Sequence, residues 1–234
     1  MKMRFWGIFL LFLFLPLFCY ASSTVFGPTG LVTMPNAEGL KYKEFNVGLN
    51  YMPPYYKGYE DSDGNTIGQD QQGLFNYYAN LGSFEGLELG FSGRGGREGV
   101  FINMKYYLIS DTNENPLSMA IGLQNLSSFN DTGLYMVASK QLNMNFGLHF
   151  GFLGRFFANT SDTNMMFGMK YFLNEQWSLL IDTIGEQSVY AWNVGTQIQI
   201  SPEFSLNMSG LNLLNPADRK NSVFVIGVSY NGFM

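Results

Sequence analysis

Most of this chain alternates between large apolar residues and small or polar ones, and that pattern constrains its fold more than any other feature. In the last stretch, SVFVIGVSYNGFM, every second residue from Phe224 to Tyr230 is large and apolar. The residues between them are small apart from Val225. A period of two is the signature of a β-strand with two unlike faces. A strand of this kind at the end of a chain is what a transmembrane barrel uses to close on its first strand.

The same alternation recurs along the chain and predicts about twelve strands, many of them near the roughly 9–11 residues that cross a bilayer at a tilt. The predicted strands are 45–52, 74–81, 87–92, 100–109, 117–126, 133–140, 144–154, 165–172, 177–184, 190–200, 204–211 and 224–230. We therefore predict an all-β protein, a closed antiparallel transmembrane β-barrel.

The connections between these strands also alternate in length, as barrel topology requires. Short periplasmic turns are predicted at 82–86, 110–116, 141–143, 174–176 and 201–203. Longer outer loops are predicted at 53–73, 93–99, 127–132, 158–164 and 212–220. An even number of strands returns the C-terminus to the side where the barrel begins.

A soluble β-sandwich would alternate too, but its outward face would be charged or polar. Here the face opposite the large apolar residues is mostly Asn, Gly, Ser and Gln, which suits the concave interior of a barrel. Aromatic residues near the strand ends fit two interfacial girdles: Tyr51, Tyr106, Tyr107, Tyr171, Trp177, Trp192 and Tyr230. These two features favour a membrane barrel over a soluble β-sandwich.

The first residues predict export across the inner membrane. Lys2 and Arg4 precede an apolar run, and Cys19-Tyr20-Ala21 ends in a small-x-small pattern typical of signal-peptide cleavage after Ala21. A helical membrane anchor and a lipoprotein at Cys19 are the alternatives. We expect a signal peptide at 1–21, a turn-rich periplasmic segment at 22–44 and an outer-membrane barrel at 45–234, in a Gram-negative-type envelope. Since Cys19 is the sole cysteine, the mature barrel would contain none.

The composition excludes some classes of partner. The formal net charge is -5 and there is no basic stripe, which argues against nucleic acid. Outer-membrane lipid and the barrel-assembly machinery are the partners that a barrel implies.

The candidate site residues are polar residues at the strand positions that alternation turns toward the lumen. They are Glu88, Asn103, Lys105, His149, Lys170, Asp182, Asn193 and Gln197. The charged members either pair across the lumen and plug it or line a narrow channel, because a charge that cannot reach water needs a partner. We predict no catalytic, cofactor-binding or metal-binding residues, and we interpret His149 as a lumen-lining residue. The protein is predicted not to be an enzyme.

Two loops resemble ligand-binding motifs without meeting their requirements. The glycine-rich stretch 93–99 joins two predicted strands and opens no helix, so it does not fit a phosphate-binding loop. The acidic stretch 60–65 lacks the terminal glutamate and flanking helices of a calcium loop.

Three short motifs resemble the YjbH family of outer-membrane proteins. GLVTMPNAE at 30–38 is similar to that family's opening GLxxxPxA pattern, and AIGLQNL at 120–126 followed by YMVASK at 135–140 is similar to its barrel pattern. FGLHFG at 146–151 follows where the next strand of the family would lie. Typical members are longer than this chain.

The resemblance implies an outer-membrane barrel associated with exopolysaccharide or capsule production or export. It further implies surface polysaccharide, or its export proteins, as partners. A small porin-like channel is the main alternative function. A surface-display barrel and a lipid-acting barrel enzyme are further alternatives.

The end of the last strand is left open by the pattern. Tyr230 keeps the register of the lipid-facing residues, but the next position of that set is Gly232, and Phe233 falls one residue later. Either a bulge occurs at Asn231-Gly232 or Tyr230 is the true end of the alternating pattern.

Overall fold

The computed structural model describes residues 21–60, 66–95, 99–110, 116–128, 132–156, 160–186, 189–214 and 222–234. Within these ranges the chain forms fourteen β-strands and no helix. They are β1 (Glu44–Met52), β2 (Tyr55–Glu60), β3 (Thr66–Gln71), β4 (Leu74–Phe84), β5 (Leu87–Arg94), β6 (Val100–Ile109), β7 (Ser118–Gln124), β8 (Thr132–Asn143), β9 (Phe146–Phe156), β10 (Ser161–Phe172), β11 (Trp177–Glu186), β12 (Val189–Gln199), β13 (Phe204–Leu213) and β14 (Val223–Phe233).

Twelve of the described strands, β1 and β4 to β14, form one closed barrel in which every neighbouring pair is antiparallel. This confirms the predicted fold. Consecutive strands pair with each other from β4 to β14, and β1 closes the circle between β4 and β14. No helix in the described part of the chain has the length and apolarity to cross a membrane.

The seam between β1 and β14 settles the end of the last strand. Glu44 pairs with Phe233 and Phe45 with Gly232, with no shift of register from there to the pair Tyr51–Ile226. The strand therefore continues to Phe233 without the bulge that was one predicted alternative, and Tyr230 is the last large residue of the lipid-facing set. A Cβ on Gly232 would lie 2.7 Å from Cζ of Phe45, so the Phe45 ring covers the lipid-facing position where an aromatic residue was missing.

The two faces of the barrel differ as the alternation predicts. Large apolar side chains such as Phe150, Phe167 and Val228 are exposed on the outside, while small and polar residues are buried inside. Of the aromatic residues predicted for the girdles, Tyr107 was placed wrongly. Its hydroxyl donates to Glu88 Oε2 at 2.8 Å inside the barrel. Tyr106 carries the girdle position instead and is 48% exposed.

Strand boundaries depart from the sequence pattern in several places. β10 begins at Ser161, inside the predicted outer loop 158–164, and β8 includes the predicted turn 141–143. The predicted loop 53–73 contains the two-stranded β2–β3 sheet, whose aromatic and β-branched residues were masked by the polar composition of the stretch. β8 spans 12 residues and is longer than predicted. Met144, predicted to begin a strand, lies in the turn between β8 and β9 and is 92% exposed.

Four of the five connections at the end of the barrel that holds Glu44 and Phe233 are two to four residues long. The two-residue connection between β11 and β12 lies at the opposite end. β4 and β5 are joined through Glu85 and Gly86 alone, and Gly86 has a φ of 77°, a backbone conformation that favours glycine. Short turns face the periplasm in outer-membrane barrels, so we take this as the periplasmic end.

Gly82 marks a close approach between the backbone of the barrel wall and the segment that precedes β1. A Cβ at this position would lie 1.9 Å from the carbonyl oxygen of Lys41, and Lys43 N donates to Gly82 O at 2.8 Å. Because both groups belong to the backbone, neither can turn aside as a side chain would. The wall accepts the incoming chain here because residue 82 is glycine.

We expect Gly82→Ala to destabilise the folded barrel by about 1–3 kcal/mol, the usual cost of overpacking. The measurement is the temperature at which the folded band is lost on unboiled gels. Gly154→Ala is the matched control, since a Cβ there meets nothing closer than 3.8 Å. Equal melting temperatures for the two variants would contradict the close approach.

Candidate functional site in the barrel lumen

The interior of the barrel is occupied by the chain's own N-terminal segment. We call residues 21–40 the plug; the predicted periplasmic segment 22–44 thus lies largely within the lumen, while residues 1–20 of the predicted signal peptide lie outside the described residues. Thr29 and Met34 have no exposed surface, and Leu31 is 1% exposed. Isolated bridges pair Ser23 with Thr29 and Gly30 with Pro35, so the glycines and prolines fold the segment back on itself.

The first anchor of the plug is formed by Glu88 of β5 and Lys105 of β6. Thr29 Oγ1 donates to Glu88 Oε2 at 2.8 Å, and Leu40 N donates to the same oxygen at 3.3 Å. Lys105 Nζ donates to the carbonyl oxygens of Thr29 at 2.8 Å and Glu38 at 2.9 Å. The two charged groups lie 4.0 Å apart. Each therefore binds the plug more closely than it binds its ionic partner.

The second anchor is Asp182 of β11, on a different part of the wall. Its Oδ2 accepts hydrogen bonds from the backbone N–H groups of Thr33 at 2.6 Å and Met34 at 2.9 Å. Its Oδ1 accepts from Thr33 Oγ1 at 3.0 Å and from Asn193 Nδ2 at 2.8 Å. Four donors satisfy a fully buried carboxylate, which would otherwise be costly to desolvate.

The third anchor joins Glu38 of the plug to Lys170 of β10, with Glu38 Oε2 3.8 Å from Lys170 Nζ. Burial raises the pKa of Glu38, but Lys170, with smaller contributions from His149, Asn36 and Lys105, outweighs it and leaves the pKa below its usual value of 4.5. Glu38 therefore stays ionised at neutral pH and keeps its contact with Lys170.

The predicted lumen residue His149 lies beside this anchor and bonds to a serine. Ser139 Oγ accepts from the backbone N–H of Ala37 at 2.9 Å and lies 2.7 Å from His149 Nδ1. The tautomer of the imidazole decides which of these two groups donates, since a serine hydroxyl can accept a second hydrogen bond. His149 and Ser139 are 3% and 6% exposed beneath the plug. A serine and a histidine buried in this way have a structural role, because no substrate can reach them while the plug is seated.

Uncharged side chains hold the other flank of the plug. Asn80 Nδ2 donates to Ser23 Oγ at 2.8 Å and to the Gly27 carbonyl at 2.7 Å, and Asn50 Nδ2 donates to the Val25 carbonyl at 3.1 Å. The candidate list omitted both asparagines, although their inward parity could have identified them.

Apolar contacts complete the seating of the plug in two clusters. Buried plug residues of the first are Val25, Leu31 and Val32, which pack with Met52, Leu180, Leu211, Val223 and Val225. Those of the second are Met34 and Ala37, which pack with Ala120, Tyr135, Val137, Leu153 and Met166. The alternating pattern could not predict the wall residues of the second cluster, because it assigns every inward position to a water-filled lumen.

The remaining two candidates do not contact the plug through hydrogen bonds in the described structure. Asn103 donates to Ser92 Oγ at 3.0 Å and accepts from the Asn125 backbone N–H at 3.0 Å. Gln197 Nε2 lies 3.4 Å from Ser205 Oγ. All eight candidates are buried inside the barrel, and six of them, Glu88, Lys105, His149, Lys170, Asp182 and Asn193, surround the plug.

The acidic stretch 60–65 and the glycine-rich stretch 93–99 are each described only in part. Residues 61–65 of the acidic stretch and 96–98 of the glycine-rich stretch lie outside the described residues. Among the residues that are described, no group of three His, Cys, Asp or Glu side chains is close enough to hold a metal ion.

We expect Asp182→Ala to loosen the plug around Thr33 and Met34. Each buried donor left without a partner costs about 1–3 kcal/mol. Hydrogen exchange followed by mass spectrometry should therefore show faster exchange of the two backbone amides, with the barrel strands still protected. Ser205→Ala, which changes a lumen serine that does not bond to the plug, should leave their exchange unchanged. Unaltered exchange in Asp182→Ala would contradict the anchor.

The fold of this barrel is similar to the folds of solved porins. The "KdgM porin in complex with disordered oligogalacturonate" superposes with a TM-score of 0.56 at 10% identity, covering 80% of this chain and 99% of that chain. The "KdgM porin" gives 0.51 at 10% identity, and NanC porin gives 0.51 at 11%, each covering 81% of this chain and 99% of the other.

These likenesses establish a shared fold. Neither a family model nor a curated protein matches the sequence.

Proposed function

We propose that this protein is a small porin-like channel of the outer membrane whose conductance is set by its own N-terminal plug. The observation that carries the proposal is a closed twelve-stranded barrel with an apolar outside and a polar inside, built like the KdgM and NanC porins. We propose no covalent chemistry.

The plug supports a regulated channel over a permanently open one. A porin leaves an aqueous lumen, whereas other barrels of the outer membrane are blocked by a segment of the chain. Here the plug is held by three charged anchors and two apolar clusters, yet it is linked to the barrel covalently only through the short stretch 41–43 that leads into β1. A segment joined at one end can shift within the lumen without breaking the wall.

The test of this function is conductance in planar bilayers. We expect a variant lacking residues 22–40 to carry a larger steady current than the full chain, because the polar lumen is then unobstructed. Both proteins must first show heat-modifiable, folded bands on unboiled gels, so that the comparison is between two barrels. Current no greater than that of protein-free bilayers from either folded protein would contradict the channel function.

We also propose, as a second candidate, a YjbH-like role in the production or export of surface polysaccharide. The observation that favours it is the location of the family-like motif GLVTMPNAE, since residues 30–38 form most of the second half of the plug and contact all three anchors directly. A motif that contacts the lumen wall at these points is suited to control what passes. In this role, surface polysaccharide or its export proteins would be partners, alongside membrane lipid and the barrel-assembly machinery.

For this role we expect deletion of the gene in its source organism to reduce extracellular polysaccharide. The full chain should restore the amount, and a chain carrying Asp182→Ala should restore it incompletely or without regulation. The measurement is total surface carbohydrate in washed cells, with envelope protein content as the control for general damage. Unchanged carbohydrate in the deletion strain would exclude the polysaccharide role and leave the channel proposal intact.

A further inference from the structure

The charged groups of the lumen are distributed unevenly around the wall. Glu88 and Lys105 lie on β5 and β6, and Lys170 and Asp182 lie on β10 and β11. In contrast, seven small or neutral residues face the lumen from β13, β14 and the part of β12 that follows Val194. They are Gly195, Gln197, Ser205, Asn207, Ser209, Gly227 and Ser229. We call these seven residues the neutral wall.

The plug is attached to this side only weakly. In the described part of the chain, no hydrogen bond or ion pair joins plug residues 21–40 to β13 or β14. The contact there consists of apolar packing, with Val25, Leu31 and Val32 against Leu211, Val223 and Val225. Apolar packing is non-directional and tolerates sliding, whereas the charged anchors have fixed donor and acceptor geometry. Hydrogen bonds therefore reach the plug from β1 and β12, which flank this sector, while β13 and β14 contribute apolar packing.

A gap already exists between the plug and the neutral wall. A cavity of about 20 Å³ is lined by Ser22, Ser23 and Val32 of the plug and by Gly195, Asn207, Ser209 and other residues of the wall. This is room for roughly one water molecule. Beside it, the Asn207 side-chain oxygen is shielded from solvent and has no hydrogen-bond partner among the described residues. An uncompensated amide oxygen at this position indicates a surface that binds a polar group.

We propose that solute crosses the barrel between the plug and the neutral wall while the charged anchors stay in place, and that the solute is a neutral, hydroxyl-rich molecule such as an uncharged sugar. This inference rests on the proposed channel function and adds its path and its substrate class. Passage requires the plug to move away from β12 to β14, since the present gap admits little more than water.

The chemistry of the neutral wall determines the substrate class. Asn and Gln amides and Ser hydroxyls both donate and accept hydrogen bonds, as sugar hydroxyls do, so each can replace water along the path. An acidic sugar requires cationic partners. The buried lysines Lys105 and Lys170 instead hold plug oxygens on the far side. The oligogalacturonate in the KdgM complex is acidic, so we expect a different preference here.

Two engineered disulfides test the path in the full chain, and the absence of cysteine after residue 19 makes them specific. Val32→Cys with Gly195→Cys joins the plug to the neutral wall, where a Cβ at position 195 would lie 3.0 Å from Val32 Cγ2. Ala37→Cys with Ser139→Cys is the matched control, because it joins the plug to the anchored side, where Ala37 N lies 2.9 Å from Ser139 Oγ. Each double variant is compared with its own reduced form in proteoliposomes.

We expect oxidation of the 32–195 pair to lower the flux of a neutral disaccharide several-fold and oxidation of the 37–139 pair to leave it unchanged. The proposed path would be overturned if oxidation of the 37–139 pair lowered the flux, whether or not oxidation of the 32–195 pair also lowered it. It would also be overturned if oxidation of neither pair lowered the flux. The unmodified chain should pass the neutral disaccharide several-fold faster than digalacturonate. Equal or faster passage of the acid would overturn the substrate class. If the unmodified chain passes no solute and no current, the channel function itself fails.

Discussion

The structure depends on how a low-dielectric barrel accommodates ionised side chains in its interior. Glu88, Lys105 and Asp182 are all at least 97% buried, and a charge removed from water is stable only when hydrogen bonds replace its hydration. Backbone groups of the plug supply those bonds. The charges hold the plug, and the plug satisfies the charges, so neither arrangement would be stable in a dry lumen without the other.

The barrel could be predicted from the sequence because alternation is a local property that every strand repeats. It determines which face of each strand is turned to the lumen, and so it predicts the inward direction of residues such as Lys105 and Asp182. The plug could not be predicted in the same way. Residues 21–40 are rich in glycine and proline and have no period, so their position is determined by partners far away in the sequence, as with Thr33 and Asp182. The inward position of Tyr107, by contrast, follows from alternation, because it lies two residues after Lys105 on the same face of β6.

This barrel shares its wall with porins, and the plug in its lumen is what its proposed function depends on. A shared barrel at about one-tenth identity shows that the wall is an architecture compatible with many interiors. In this protein the plug meets charged side chains on β5, β6, β10 and β11 and apolar or neutral side chains on β13 and β14. Differences of this kind, more than the number of strands, separate one small barrel from another in what it admits.

The short link between the plug and β1 bears on how the barrel assembles. Pairing β1 with β14 joins the two most distant strands of the chain, so it is the contact with the largest cost in chain entropy. Plug residues next to β1 bind β5, β6, β8, β10 and β11, and each of those bonds brings β1 closer to its final position. The plug thus acts as a template on which a nearly complete sheet curls, so that filling the barrel and closing it become one cooperative step.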